Sequence, residues 1–377
     1  MTIAGVSSSS LVWSNNGVVS TARWLSANGV PAPKRVESVD DTITADAAYR
    51  LASQGVAMVW TGDFQNARQI LTAVEHRTRL RPDKTERTAG ELFYRYRQNR
   101  SHRARILGML LIPLGEANVI GLRRAPNVVA ATQAAYGTLT EECVVSLHEV
   151  VGALGAEQWR IRGIDVAALN VKIYPHYGTF FPVRSEYVDL VAHAPLDAPK
   201  VAFDIGTGTG VLAAVLATRG VPRVVATDLE PRAIASATET MKRLGLEKRV
   251  EVQLTDLFPA GRADLIVCNP PWIPATAHSL LDAAVYDPGS RMLRGFLAGV
   301  LTHLNPGGEV WLVLSDFAEL VGLRSRTDLL ELIAASGLRV VEARGAPAVH
   351  VRAGDTTDPL HSVRAAEVTS LWRLRAL

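Results

Sequence analysis

From Val201 onward, short β-branched runs alternate with longer stretches in which apolar residues recur at helical spacing. "KVAFD" reads as a strand, "GVLAAVLATRG" as a helix, "RVVATD" as a strand, "PRAIASATETMKRLG" as a helix, and "RVEVQL" and "ADLIVC" as further strands. A longer insertion leads to a helix near Arg291 to Leu304, a turn at "NPGG", the strand "EVWLVLS", the helix "RTDLLELIAASG" and strands near "LRVVEAR" and "EVTSLWRLR". Parallel strands need a crossover long enough to hold a helix, so this alternation predicts βαβ units. About seven strands result, and the stretch 166–377 is expected to be an α/β domain built on an open, doubly wound sheet.

The stretch 1–165 differs in kind. Helical patterns at "DAAYRLASQGVAMVW" and "FQNARQILTAVEHR" precede an expected strand pair at "RILGMLLIPLGEANVIGLRR", which predicts a smaller α+β domain suited to substrate recognition. The connector "VKIYPHYGTFFPVRSEY" is rich in aromatics and has little periodicity. A segment of that kind packs over a site or serves as a plain linker.

Composition narrows the picture. A chain of 377 residues is long enough for two cores. With 48% hydrophobic and 20% charged residues it is an ordinary globular sequence. Forty basic residues against 37 acidic ones leave a formal net charge of +3, too little to hold nucleic acid by bulk charge, so any such contact rests on a local patch. Cys143 and Cys268 lie far apart and read as buried thiols of a reducing compartment. His176, His278 and His303 have no metal-ligand spacing, and no Ser/His/Asp arrangement is present. The opening "MTIAGVSSSSLVW" has no charged leader and the apolar runs are shorter than a membrane span, so a cytoplasmic location is expected.

The first candidate chemistry is "FDIGTGTGVL". It follows a strand and opens a helix, which makes Gly206, Gly208 and Gly210, with Thr207 and Thr209 between them and Asp204 before them, a cofactor loop. A dinucleotide fingerprint requires glycine at the sixth position, where Val211 stands. The spacing suits a cofactor without a pyrophosphate, whose carboxylate and amine meet the loop and the helix start. Asp228 ends the next strand, where a carboxylate can accept hydrogen bonds from a ribose diol; a surface Asp capping the following helix is the plainer reading. Asp256, with Leu257 and Phe258 as apolar cover, stands where an adenine amine can be read.

The second is "DLIVCNPPWIPA". Its strand ends at the edge where doubly wound sheets bind ligands. Pro270 and Pro271 fix φ and make a rigid turn with exposed carbonyls. If the Asn269 side-chain oxygen and the Pro270 carbonyl each accept an N–H from a conjugated amine, its nitrogen is positioned for attack without a strong base. Trp272 offers a face for a planar amide or base, and the ring rather than its N–H is expected to matter.

Taken in order, "DIGTGTG", "ATDLEP", "LTDLF" and "NPPW" resemble the class I S-adenosylmethionine-dependent methyltransferases, and within them the release-factor glutamine methyltransferase group (HemK/PrmC-like) and the N6-adenine methyltransferases. The resemblance covers roughly residues 175–345. It implies a Rossmann-like methyltransferase fold, S-adenosyl-L-methionine held by Gly206 to Gly210, Asp228, Leu257 and Asn269, and acceptor contacts at Asn269 to Trp272. Two departures stand out: the fourth motif position, commonly Tyr, is Trp272, and the N-terminal region is longer than the release-factor enzymes' helical domain.

The expected function is N-methyl transfer to an amide or exocyclic amino nitrogen of a protein, nucleic-acid or small-molecule acceptor. The rivals are a nicotinamide-dependent oxidoreductase, opposed by the missing sixth glycine, and a non-catalytic binding module, opposed by the intact Asn269. Between Arg68 and Arg105 basic residues, including Arg81 and Lys84, outnumber acids such as Glu75, Asp83, Glu86 and Glu91, with Phe93, Tyr94 and Tyr96 interleaved. RNA contact through this segment is one reading; a solvated helix face is the other.

Overall fold

The computed structural model describes residues 9–15, 17–79, 87–182, 184–277, 279–349 and 354–377. Arg81, Asp83, Lys84, Glu86, His278 and most of the opening segment lie outside the described residues. The chain divides into two compact units, Met1–Thr85 with Tyr94–Gln158, and Glu86–Phe93 with Trp159–Leu377.

The first unit holds strands β1 (Ser10–Asn15), β2 (Val18–Leu25), β3 (Arg35–Val39), β4 (Val56–Trp60), β5 (Leu110–Leu114) and β6 (Cys143–Ser146). They form one mixed sheet in the order β1-β2-β6-β5-β4-β3. Its helices are α1 (Ala45–Ser53), α2 (Phe64–Arg77), most of α3 (Ala89–Leu107), α4 (Val129–Tyr136) and most of α5 (Leu147–Arg162). Two expectations fail here. "VAMVW" is not helical but is β4, buried along its whole length, and a run buried on both faces shows no period that separates strand from helix. Gly55, at φ +75°, ends the helix before it. The expected strand pair is also single: β5 lies between β4 and β6, while Glu116–Asn118 forms a 3₁₀ turn. Asn118 ties that turn down, donating to the Gly137 carbonyl at 3.0 Å and accepting from Leu139 N at 3.0 Å. In the Arg-rich segment, Arg103 pairs with Glu75 and Arg77 donates to Asp46 at 2.8 Å, while Phe93 belongs to the second unit, where it is buried with its ring 5.7 Å from that of Phe317.

The second unit begins with a small ribbon, β7 (Ile164–Val166) and β8 (Val171–Ile173). Its main sheet contains β9 (Val201–Ile205), β10 (Arg223–Asp228), β11 (Val250–Leu254), β12 (Ala263–Cys268), β13 (Leu304–Ser315), β14 (Leu338–Pro347) and β15 (Val368–Ala376). The order is β11-β10-β9-β12-β13-β15-β14, with β9 to β13 parallel and β15 antiparallel to both its neighbours. This is the Rossmann-like arrangement, with a reversed last strand wedged in beside the edge.

The helices are α6 (Glu186–His193), α7 (Val211–Thr218), α8 (Pro231–Leu244), α9 (Leu280–Ala283), α10 (Arg291–His303), α11 (Phe317–Leu320), α12 (Arg326–Ala335) and α13 (His361–Ala366). Successive strand side chains alternate between two cores. Ala202, Leu265 and Val267 pack with α6 and α7. Phe203, Ile266 and Cys268 pack with α10 and α12. "NPGG" is not a free turn but the start of β13, which shifts register opposite Asp264, with Gly307 at φ +76° and Asn305 donating to Asp264 at 2.8 Å.

Candidate active site

Parallel pairing places the ends of β9, β10 and β12 together, since Ile205 pairs with Cys268 and Thr227 with Ile205. The residues that follow, from Gly206, Asp228 and Asn269, therefore share the carboxyl edge of the sheet.

The loop after β9 turns on three left-handed glycines: Gly206 at φ +72°, Gly208 at +56° and Gly210 at +82°. A side chain there is disfavoured by φ, and at Gly206 and Gly210 it would also require a methionine to move. A Cβ on Gly206 would lie 2.6 Å from Met292 Cε, and one on Gly210 would lie 2.7 Å from Met241 Cε. The loop is tied to β10, for Gly206 N and Thr207 N both donate to the Thr227 carbonyl, at 2.9 and 2.8 Å. Thr207 and Thr209 are both buried within the loop.

Asp204 is 1% exposed and braces the loop from inside. Its Oδ2 accepts from Thr207 Oγ1 at 2.6 Å and from Ala213 N, in the first turn of α7, at 3.0 Å. Burial pushes its carboxyl up to about 6, against the pull of those two hydrogen bonds. Asp228 is also raised by burial. Its two oxygens already accept from Gly208 N at 2.9 Å and Glu230 N at 3.0 Å, which locks the carboxylate against the loop and leaves one lone pair or more on each oxygen.

Leu257 adopts φ +62°, and its carbonyl accepts from Thr227 Oγ1 at 2.6 Å. Its side chain packs with Trp272 and Met292 against one face of the core. Asp256 beside it is exposed. The Phe258 ring stacks on Phe296 and His303 of α10, at centroid distances of 5.7 and 4.6 Å.

At the end of β12, Pro270 is buried, and the turn runs into a bridge between Ile273 and Tyr286. The Trp272 indole N–H donates to Asn269 Oδ1 at 2.8 Å. The indole N–H is thus engaged within the turn, a contact that the sequence does not predict. Asn269 can present either oxygen or nitrogen to a ligand, and the indole selects the oxygen as the end held in place. Cys268 lies fully buried beneath the turn, and burial pushes its thiol far above the range of a nucleophile.

Several neighbours carried no sequence signal of their own. Arg184 lies with its guanidinium 5.5 Å from the Trp272 ring centroid. Met292 reaches Gly206, and Asp287 holds the start of α10 by accepting from Met292 N and Leu293 N. The aromatic connector does lie over the loop: a Cβ on Gly208 would stand 3.6 Å from the Phe180 carbonyl. His176 and Arg160 fasten that connector to α8 through Glu239, at 2.7 and 2.8 Å. Among the described residues no group of three or more His, Cys, Asp or Glu side chains is placed to hold a metal ion. None of the described helices is long and apolar enough to cross a membrane.

The Methyltransferase small domain family matches residues 189–323, which carry the glycine loop, Asp228 and the Asn-Pro-Pro-Trp turn. The chain is 36% identical to a release factor glutamine methyltransferase of Cereibacter sphaeroides over 143 residues, covering 34% of this chain and 51% of that protein. It is 31% identical to the release factor glutamine methyltransferase of Xylella fastidiosa over 210 residues, 49% of this chain and 75% of that protein. A ribosomal RNA small subunit methyltransferase C of Alcanivorax borkumensis is 32% identical over 120 residues, 31% of this chain and 33% of that protein. The matched part thus spans from a third to three quarters of these relatives' own length.

Proposed function

Since the chain belongs to the HemK/PrmC-like group of class I S-adenosylmethionine-dependent methyltransferases, we propose that it transfers a methyl group to an amide or exocyclic amino nitrogen of a protein or RNA acceptor. The observation that carries this reading is the Asn269 side-chain oxygen, held by the Trp272 indole at 2.8 Å on the same sheet edge as a glycine loop.

The residues present fit the cofactor. The loop turns on three glycines at left-handed φ, and Asp228 is fixed against it with lone pairs to spare for a ribose diol. S-adenosyl-L-methionine supplies an electrophilic methyl group on a sulfonium. Gly206 to Gly210, Asp228 and Leu257 are the residues proposed to hold it.

Asn269 Oδ1 has two lone pairs. With one taken by the indole, the other accepts an N–H of the acceptor, and the Pro270 carbonyl accepts the second N–H. The two bonds hold the nitrogen and fix the direction of its lone pair. When bound there, the cofactor would supply the methyl carbon to this nitrogen, and its sulfur would keep the electron pair of the broken S–C bond. The nitrogen, now acidic, releases its proton to solvent, so no strong base is needed at the site. A nicotinamide reading is disfavoured because Val211 stands where the pyrophosphate fingerprint requires glycine.

Calorimetry tests the cofactor assignment. Wild type should bind S-adenosylmethionine and not NADH, and Asp228→Ala should weaken that binding by about 1.5–3 kcal/mol, the range for a hydrogen bond to a charged group. Tight NADH binding by the wild type would contradict it.

A further inference from the structure

The Asn-Pro-Pro-Trp turn does not stand alone. Arg184, in the connector just before α6, donates through Nη1 to Glu367 Oε1 at 2.6 Å and through Nη2 to Glu367 Oε2 at 2.9 Å. Glu367 immediately precedes β15, and its side chain is 1% exposed. Ser315, the last residue of β13, donates its hydroxyl to the same Oε1 and accepts from Phe317 N at 2.9 Å. The carboxylate is therefore anchored to two adjacent strands, and through it so is the guanidinium. That guanidinium stands 5.5 Å from the centroid of the Trp272 ring, and the indole N–H holds Asn269 Oδ1.

We propose that Arg184 and Glu367 are positioning residues for the methyl-transfer site, acting on Asn269 through Trp272; this rests on the function proposed above. An Asn side chain whose amide flips presents N–H where the acceptor nitrogen needs an oxygen, so the flip abolishes the useful contact. The indole prevents the flip only while the indole itself is held. Trp272 is half-buried in a turn and packs against both cores of the unit, and the guanidinium over its ring adds a directed restraint that apolar packing alone does not give. Glu367 keeps the arrangement neutral, so that no uncompensated cation stands beside a nitrogen that turns positive during transfer.

A buried bidentate pair is a poor means of gaining stability, because desolvation consumes most of its attraction and an apolar pair of similar volume holds a fold as well. Its geometry is the better reason for it. Lysine cannot substitute, being a point charge without the planar fork that fits both carboxylate oxygens and lies flat on a ring.

The test uses the full chain with Arg184→Lys and with the double variant Arg184→Met/Glu367→Leu, which removes both charges together and so avoids leaving one buried alone. The Trp272 indole N–H is assigned in a ¹⁵N–¹H spectrum by its loss in Trp272→Phe. Its hydrogen exchange is then followed, alongside S-adenosylmethionine affinity and tritiated methyl transfer to bulk protein and RNA from cells lacking the gene. In both variants the indole resonance should shift and exchange faster, cofactor affinity should stay within about threefold, and the transfer rate at saturating cofactor should fall about 10- to 100-fold, as for a small misplacement of a reacting group. An indole signal unchanged in both variants, or transfer within about twofold of wild type, would overturn the positioning role. If the wild type itself transfers no label, the functional reading fails instead, and the indole signal alone then decides whether the restraint exists.

Discussion

At the scale of single residues, the hydrogen bond between Trp272 and Asn269 is what most changes the chemistry read from the motif. The sequence suggests a flat ring for stacking, and for that purpose phenylalanine would serve as well. With the indole N–H engaged, Trp272→Phe keeps the ring and loses the restraint on the Asn269 amide. The variant should lose methyl transfer by roughly tenfold or more, the worth of about 1.4 kcal/mol or one hydrogen bond. Trp272→Ala should lose more, since it removes the ring too. Steady-state rates for the two variants on one acceptor check the order, and a phenylalanine variant as active as wild type would return the role to stacking alone. The identities of Asn269 and Trp272 were legible from sequence; the bond between them was not, because nothing in the order N-P-P-W fixes where the turn points the indole.

At the scale of elements, the glycine loop links β9 to α7 and sets how closely α7 approaches α8. Gly210 shows this most clearly, with φ +82° and a notional Cβ only 3.2 Å from Ala237 Cα. Gly210→Ala imposes left-handed strain of about 1–2 kcal/mol and overpacking of about 1–3 kcal/mol. Chemical denaturation should therefore show a loss of some 2–5 kcal/mol, roughly the sum of those two effects. A loss below about 0.5 kcal/mol, the usual reach of a neutral surface change, would mean that the loop is not tightly packed against α8. The strands of this unit were readable because β-branched runs are bounded by glycine loops and strong helical periods. Reading failed where burial on both faces erased the period, as in β4, and where Asn118 closes a turn with contacts far along the chain. Arg184 escaped notice for a related reason, since its partner Glu367 lies 183 residues away.

At the scale of the whole molecule, Asp204 ties stability to pH. Its carboxyl is pushed up to about 6 from 3.8 by burial, so between those values the folded chain holds a proton that the unfolded chain has released. Stability from this group therefore falls as pH rises through that window and levels off above it. Across the whole window the loss amounts to about 3 kcal/mol. Asp204→Asn removes the titration, so the stability of wild type relative to the variant should decline between about pH 4 and 6 and stay flat above. Denaturant titrations at four or five pH values check this; a difference that grows with pH would reverse the assignment. Acids held down by arginine act oppositely: hydrogen bonding by Arg124 brings Asp63 to about 2, and stability linked to it is lost as pH falls toward that value. The comparison with Asp204→Asn isolates one group from the others.

Nitrogen methylation governed by Asn269 is the chemistry that most directly distinguishes this site. Wild type and Asn269→Ala, each saturated with tritiated S-adenosylmethionine, are incubated with bulk protein and RNA from cells lacking the gene, and the labelled product is located by mass spectrometry. The label should lie on an amide or exocyclic amino nitrogen, and the variant should transfer it about 10²- to 10³-fold more slowly while binding the cofactor within a few fold. Label on oxygen or carbon, or a variant as fast as wild type, would contradict the account.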